Sequence, residues 1–284
     1  MPVVKKIAGF LVYGILLCFV LAAFAISFAF YGAKNSVPVL NYHQINNEDV
    51  NALTVSVEDF DAQMKYLAQN GYTSITPNEM LAAFENGETL PEKTVVITFD
   101  DGYLDNYLNA YPILQKYNLK GTMFVITDYV SLYPNYITWD EAVEMQESGV
   151  MNLESHTMGH INLLKSSKEE AIFQLKTSKD ALEAHLKKPV EFLAYPEGDY
   201  DDEIEKIAKD TKYKGAFTVN YDLTSKEEDP FALSRVPIFG MENRALERFK
   251  LRVTMTPVFS PLNKFKRKLE SIGLDIISDH IYIP

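Results

Sequence analysis

The sequence predicts an α/β protein with a mostly parallel sheet, preceded by one N-terminal transmembrane helix. From Val37 onward, short β-branched runs alternate with helical patterns. One run, Thr94–Phe99, is continuously apolar and β-branched, which is typical of a strand buried on both faces. This alternation indicates βαβ crossovers, in either an open doubly wound sheet or a closed barrel. We favour the barrel.

The elements can be assigned in order along the chain. The first helix of this region begins at the capping box Ser56–Asp59 and ends at Gly71, and the next runs from Thr76 to near Gly87. Strands are predicted over residues 37–42, 94–99, 122–126, 151–155, 191–195, 215–219 and 233–238. Further helices are predicted near residues 106–117, 139–148, 168–187 and 200–210.

The N-terminus has the composition of an exported protein. Lys5 and Lys6 precede an almost uncharged apolar stretch from Ile7 to about Phe30, and about 20 such residues suffice to cross a bilayer. Basic residues on this flank favour a cytoplasmic N-terminus. We therefore expect residues 1–34 to be a membrane anchor, with the following domain outside the cell. The alternative is a signal peptide cleaved near Ala23–Ala25, which would give a secreted protein.

The rest of the chain divides into a main domain over residues 35–240 and a basic C-terminal extension over 241–284, expected to pack on or beside that domain. Contact of this extension with an anionic polymer or lipid headgroups is the alternative. The net charge of -12 argues against nucleic acid as a partner. With Cys18 as the one cysteine, any metal must be held by His, Asp or Glu.

Two adjacent carboxylates, Asp100 and Asp101, stand where a buried strand ends and Gly102 turns the chain. In a parallel α/β fold, functional sites are built at this end of the strands. Adjacent acids repel each other and are costly to remove from water, so the pair predicts a nearby cation, and a bound metal ion is the simplest one. A polar turn that caps the next helix would explain only one of the two.

A pair of histidines, His156 and His160, follows another predicted strand. Histidines at this spacing can bind one divalent ion from a helix or a tight turn. Together with Asp101 they would form a set of two histidines and one carboxylate that leaves coordination positions open for water and substrate. The sequence therefore predicts a catalytic metal site.

The motif Thr98–Tyr103, followed by Ser155–His160, resembles the polysaccharide deacetylases of carbohydrate esterase family 4. The resemblance implies a distorted (β/α)7-type barrel over about residues 37–238. It also implies that Asp100 is the general base and that Asp101, His156 and His160 are the metal ligands. The implied metal is zinc, with cobalt, nickel or iron as alternatives.

Two further segments, Val39–His43 and Ile137–Asp140, are similar to the branch of the family that includes poly-N-acetylglucosamine deacetylases. This similarity implies that His43 is the general acid, whereas the simpler alternative is a strand-end histidine with satisfied hydrogen bonds. Trp139 is either a packing residue, which we favour, or a sugar-stacking residue.

The segment Phe192–Gly198 resembles the third motif of the family, in which the main-chain amide after the proline holds the oxyanion. Carried over, the residues are Tyr195, Pro196 and the N–H of Glu197. The chain departs from the family here, because Glu197 replaces an aromatic residue and the arginine that orients the base in many relatives is missing from this motif.

These residues together imply an enzyme that removes N-acetyl groups from N-acetylglucosamine-type residues of an extracellular or cell-wall polysaccharide. Water activated by the metal would attack the acetyl carbonyl, with Asp100 as base and His43 as acid. Two alternatives stay open: a non-catalytic carbohydrate-binding or envelope protein on the same fold, and an O-acetyl esterase.

Overall fold

The structure is a computed structural model that describes residues 2–278 and 280–284, without the side chains of residues 2–12, 15 and 276. The chain forms two compact units. One comprises Met1–Lys34 and Pro257–Ile283, and the other comprises Asn35–Thr256 and Pro284. The second unit contains the sheet and all the predicted site residues.

The secondary structure alternates as the sequence predicts. The strands of the described residues are β1 (Val39–Tyr42), β2 (Gln44–Ile45), β3 (Thr54–Val55), β4 (Thr73–Ser74), β5 (Thr94–Phe99), β6 (Gly121–Val125), β7 (Met151–Ser155), β8 (Phe192–Ala194), β9 (Gly215–Tyr221) and β10 (Leu233–Pro237). The α-helices are α1 (Pro2–Gly32), α2 (Val57–Gln69), α3 (Pro77–Glu85), α4 (Tyr111–Lys116), α5 (Trp139–Glu147), α6 (Lys168–Leu186), α7 (Asp202–Asp210), α8 (Ala245–Ser271) and α9 (Asp275–Ser278).

The main sheet closes into a parallel barrel. Strands β5 to β10 pair in sequence order, and β1 pairs with both β10 and β5, so seven of the described strands form a continuous ring. The short strand β4 pairs with the beginning of β5, and β2 and β3 form a separate two-stranded ladder. The predicted barrel is therefore confirmed, and the alternative of an open sheet is wrong for this chain.

The barrel is filled by the apolar side chains that the strand patterns indicate. All six residues of β5 are buried, as expected of a strand covered on both faces. Side chains from several strands form the core, among them Val39, Val96, Phe124, Phe217 and Leu233. Because the seven ring strands are parallel, their carboxyl ends lie at a common edge.

The helix that follows β5 departs from its predicted form. Residues 106–117 were expected to form one helix, whereas Asn106–Ala110 form a π-helical turn and α4 begins only at Tyr111. The Tyr111 N–H donates to the carbonyl of Asn106, a five-residue step that adds one residue to the turn. Pro112, which has no N–H to donate, follows directly.

The predicted anchor over residues 1–34 corresponds largely to α1, although Met1 and several side chains of this segment lie outside the described residues. Within the part of the chain that the structure describes, no helix combines the length and the apolar character needed to cross a membrane. The expectation of a transmembrane helix is therefore not supported.

Candidate metal centre

The predicted site residues lie at the carboxyl-terminal edge of the barrel. Asp100 and Asp101 directly follow β5, and His156 follows β7. Gly102 completes the turn after the acidic pair with a φ of +86°, a left-handed conformation that glycine adopts without strain. A Cβ atom at this position would come within 3.2 Å of Val125, so the turn also lies close against β6.

The structure brings Asp101, His156 and His160 together. The Nε2 atoms of His156 and His160 lie 3.4 Å and 3.7 Å from Oδ1 of Asp101. The two imidazole rings are edge-on, with centroids 4.7 Å apart. One ligand atom from each residue lies within 4.8 Å of the others. The three side chains therefore converge on one point from two separate strand ends.

Both loops hold this arrangement with unusual main-chain conformations. Asp101, Thr157 and His160 have φ values of +78°, +66° and +53°, which non-glycine residues rarely adopt. The Thr157 hydroxyl accepts a hydrogen bond from the His160 N–H at 3.0 Å. Conformations of this kind are concentrated at functional sites, where the surrounding structure maintains them.

The buried ring of His156 is fixed by a second contact. Its Nδ1 lies 2.8 Å from the carbonyl oxygen of Ala194, which can only accept a hydrogen bond, so the proton belongs on Nδ1. In the neutral imidazole, Nε2, which faces Asp101, is consequently the nitrogen without a proton. A histidine that donates from one ring nitrogen to a carbonyl is held in the tautomer that a metal ligand requires.

The ionisable groups of the cluster shift the pKa of one another. Burial lowers the pKa of His156, but the hydrogen bond to Asp101 and the charge of Asp100 outweigh burial, and the pKa lies above its ordinary 6.5. Burial and the neighbouring His156 lower the pKa of His160. Burial raises the pKa of Asp101, but His156 outweighs this effect and the pKa lies below 3.8.

Asp100 is paired with a residue that the sequence analysis missed, and we call Asp100 with its polar partners Arg235 and Asn41 the Asp100 pocket. Arg235 on β10 is fully buried, and its Nη1 and Nη2 donate to the two carboxylate oxygens of Asp100 at 2.7 Å and 2.8 Å. Burial alone would raise the pKa of Asp100, but the Arg235 guanidinium outweighs it and holds this pKa well below 3.8. An arginine is missing from the third motif, but another strand supplies one that pairs with Asp100.

The sequence carried a signal for this residue. Arg235 is the charged residue within the predicted strand 233–238, where a buried cation needs an acidic partner. The barrel interior surrounds it, because the guanidinium carbon lies 5.8 Å and 5.9 Å from the ring centres of Phe124 and Phe217. Asn41 on β1 was also missed, and its amide donates to Oδ2 of Asp100 at 2.9 Å.

His43 follows β1 and is half-buried. Its Nδ1 has no hydrogen-bond partner among the described residues, so the alternative of a satisfied strand-end histidine lacks support at that atom. Burial lowers the pKa of His43 below 6.5, against the opposing charges of Asp100 and Asp101. A lowered pKa makes a protonated imidazole a stronger acid, although less of it is protonated at neutral pH.

The loop after β8 contains the predicted oxyanion residues. Glu197 has a φ of +60° in a short turn over Pro196–Gly198, and none of the described residues hydrogen-bonds to its N–H. Its carboxylate accepts a hydrogen bond from Asn162 at 2.9 Å. Tyr195 is fully buried and donates its hydroxyl to the carbonyl of Phe231, so this side chain supports the fold rather than facing a substrate.

Trp139 begins α5 and packs on the protein itself. Its ring stacks on the imidazole of His185 in the last turn of α6, with centroids 3.9 Å apart and planes within 5°. One face of the indole is thus already covered, which favours packing over sugar stacking. His185, which lies outside any motif, has a structural partner.

The donor set fits a divalent transition metal. Bonds of about 2.1 Å from nitrogen and oxygen to one ion place neighbouring ligand atoms roughly 3–3.5 Å apart. The two histidine nitrogens lie at 3.4 Å and 3.7 Å from the Asp101 oxygen, close to that spacing. Two imidazoles and one carboxylate are ligands that zinc and its neighbours accept, and three protein ligands leave room for water or substrate.

An open three-ligand cluster beside a separate, ion-paired carboxylate at the mouth of a parallel barrel is an arrangement suited to a metal-assisted hydrolase. Comparisons with known proteins identify a family within this class. The polysaccharide deacetylase family profile matches residues 87–216. YxkH of Bacillus subtilis strain 168, which bears the name of that family, is 34% identical over 210 residues, or 74% of each chain. The chain belongs to the polysaccharide deacetylase family.

Two further relatives extend the comparison. The poly-beta-1,6-N-acetyl-D-glucosamine N-deacetylase of Staphylococcus epidermidis is 28% identical over 240 residues, covering 75% of this chain and 82% of the relative. Among solved structures, the Streptococcus pyogenes deacetylase PplD in complex with acetate is 30% identical with a TM-score of 0.69. That match covers 81% of this chain and 97% of PplD.

Proposed function

We propose that this deacetylase removes N-acetyl groups from N-acetylglucosamine-type residues of an extracellular or cell-wall polysaccharide. One observation carries the proposal: a carboxylate held ionised by Arg235 is the immediate neighbour of Asp101, which lies in the three-ligand cluster. A proton acceptor and a site for a Lewis acid are therefore supplied by a single turn. The staphylococcal relative, by its name, acts on this class of acetylated sugar.

Asp101, His156 and His160 would hold the divalent ion, for which we propose zinc, with cobalt, nickel or iron as alternatives. When bound, such an ion supplies a Lewis acid that polarises an acetyl carbonyl and makes water more acidic. His156 is oriented for this task, because its hydrogen bond to Ala194 holds the proton of the neutral ring on Nδ1 and leaves Nε2 as the nitrogen that can coordinate.

Asp100 would accept a proton from the attacking water. Arg235 and Asn41 fix both of its oxygens, so the carboxylate does not need to reorient during the reaction. Arg235 also lowers its pKa, which keeps the base ionised at neutral pH but limits its basicity.

Two other groups would complete the reaction. The N–H of Glu197 would donate to the oxygen of the acetyl carbonyl as negative charge develops there. His43 would deliver a proton to the sugar nitrogen, so that acetate and a glucosamine-type residue leave. The acetate bound in PplD is the product that such a reaction would yield.

The test is acetate release from N-acetylglucosamine oligomers by the full chain with added Zn²⁺ or Co²⁺. We expect release that a chelator abolishes and that metal restores. O-acetylated xylan serves as the comparison substrate. Release from xylan alone would refute the proposed substrate, and no release from either would refute catalysis by this chain.

The location of the reaction stays a prediction from the N-terminal sequence. We propose that the domain acts outside the cytoplasm, either at the cell surface or after secretion. Fractionation of cells that express the full chain, with an antibody against the domain, would check this. Recovery of all the protein in the cytoplasmic fraction would contradict it.

A further inference from the structure

His156, which belongs to the three-residue cluster, and His43, the proposed acid, are held in different ways. The ring of His156 is anchored through its own Nδ1 to Ala194. The Nδ1 of His43 is buried and has no hydrogen-bond partner among the residues that the structure describes. Since this nitrogen does not fix the His43 ring, its position depends on packing and on the main chain that carries it.

The main chain at His43 is hydrogen-bonded by side chains of the π-helical turn Asn106–Ala110, which follows the acidic pair. Nδ2 of Asn106 donates to the carbonyl oxygen of His43 at 2.9 Å. Nδ2 of Asn109 donates to the carbonyl oxygen of Ile45 at 2.8 Å. The two amides therefore hold the main chain at His43 and at Ile45, two residues later. Asn106 is completely buried, so its side chain has no role at the surface.

The conformation of this turn is of a kind often found at functional sites. Asn106 and Asn109 belong to the π-helical turn Asn106–Ala110. π-Helical turns are rare overall. A third contact comes from the preceding residue, because Oδ2 of Asp105 accepts a hydrogen bond from Asn46 at 2.6 Å. Three polar side chains of one short segment, Asp105, Asn106 and Asn109, thus bind residues 43–46.

We infer that Asn106 is a positioning residue for His43, with Asn109 as a second support in the same turn. This inference rests on the proposed function, because it requires that His43 donate a proton to the substrate. The segment from Asp100 to Asn106 then links three parts of the site: the base, one metal ligand and the support of the acid. A shift of the support by about 1 Å can cost up to about a hundredfold in rate.

The test measures kcat and KM for a defined N-acetylglucosamine oligomer with the metal-loaded full chain. Asn106→Ala and Asn109→Ala are compared with His43→Ala and with each asparagine variant combined with His43→Ala. We expect Asn106→Ala to lower kcat by about tenfold to a hundredfold with KM within about twofold, and Asn109→Ala to lower it less. Metal content should not change.

The decisive measurement is the kcat of the double variant Asn106→Ala with His43→Ala. If Asn106 acts through His43, Asn106→Ala should lower kcat no further once His43 is absent, whereas a merely structural loss would persist. Equal losses with and without His43 would overturn the inference while leaving the proposed function intact. An unaffected His43→Ala variant would overturn it as well, and absence of acetate release by the unaltered chain would overturn both.

Asn152→Ala is the matched control for stability. Its amide donates to Glu154 at 3.0 Å near the beginning of β7, whereas His156 follows the end of that strand. It should lower the melting temperature without lowering kcat. Should Asn106→Ala fail to fold, Asn109→Ala decides: a kcat loss that disappears without His43 supports the inference, and an unchanged kcat refutes it.

Discussion

Asp100 and Asp101 are adjacent in sequence, yet the protein surrounds them in opposite ways. The Asp100 pocket is complete in itself: its partner Arg235 is a permanent cation, and the two side chains are 3% and 0% exposed. The Asp101 cluster is more open, with 12% of that side chain and 30% of His160 exposed, and its neighbours are titratable imidazoles. The comparison teaches that the Asp100 ion pair is complete within the protein, whereas the three-residue cluster is open to a further partner.

The largest expected effect is on acetate release, and the metal content of the variants distinguishes the two carboxylates. Asp100→Asn and Asp101→Asn should each reduce acetate release by about 10³-fold or more, because each removes an essential group. Only Asp101→Asn should lose the ion, which metal analysis after dialysis would measure. An Asp101→Asn protein that retains a full complement of metal would break the comparison.

Arg235→Met tests whether the Asp100 pocket is self-contained. It leaves a buried carboxylate without its cation, so the free energy of unfolding should fall by about 3–5 kcal/mol. Denaturant unfolding measures this, with the exposed Arg244→Met as the control. The double variant with Asp100→Asn should recover part of the loss, since it removes both charges. A loss below about 1 kcal/mol would contradict the role of this ion pair.

Asn41→Ala sharpens the comparison within the Asp100 pocket. A hydrogen bond to a charged group is typically worth about 1.5–3 kcal/mol, so the loss of stability should be smaller than for Arg235→Met. Arg235 contacts both carboxylate oxygens, whereas Asn41 contacts only Oδ2. Denaturant unfolding of both variants under one condition gives the ranking, and the reverse order would show that Asn41 is the principal support.

The smallest effect concerns pH and the ligand cluster. The pKa of His156 is raised above 6.5. As the pH falls below this pKa, the imidazole becomes protonated, and metal binding must displace the proton. Zinc affinity should therefore weaken by about tenfold per pH unit below the His156 pKa. Competitive metal titration between about pH 5.5 and 8 measures it. The low pKa of Asp100 predicts no change in its charge over the same interval.

Much of the barrel could be predicted because its signals are local. Each strand of the ring is a short apolar or β-branched run, and motifs that end such runs fall at one edge by topology. The convergence of Asp101 with the two histidines follows from that rule, and the geometry agrees with it. Their roles as ligands, and that of Asp100 as base, stay predictions for experiment.

What the sequence did not reveal depends on contacts between distant strands. Arg235 meets Asp100 only because β1 closes the ring between β10 and β5, and no periodicity in the sequence specifies that closure. Asn106 was likewise unremarkable within an expected helix, because neither the π-helical turn nor its hydrogen bond to the His43 carbonyl can be read from the sequence. Only Arg235 offered a clue, as a charged residue within an apolar strand.

The Asp100–Arg235 pair also bears on when the protein becomes active during synthesis. Its partners are separated by 135 residues, and the arginine lies on the last strand of the ring. A chain that ends before β10 therefore contains both sequence motifs but lacks the cation that pairs with Asp100. If Asp100 is the base, we expect such a truncated product to carry the signature of the family and to release no acetate.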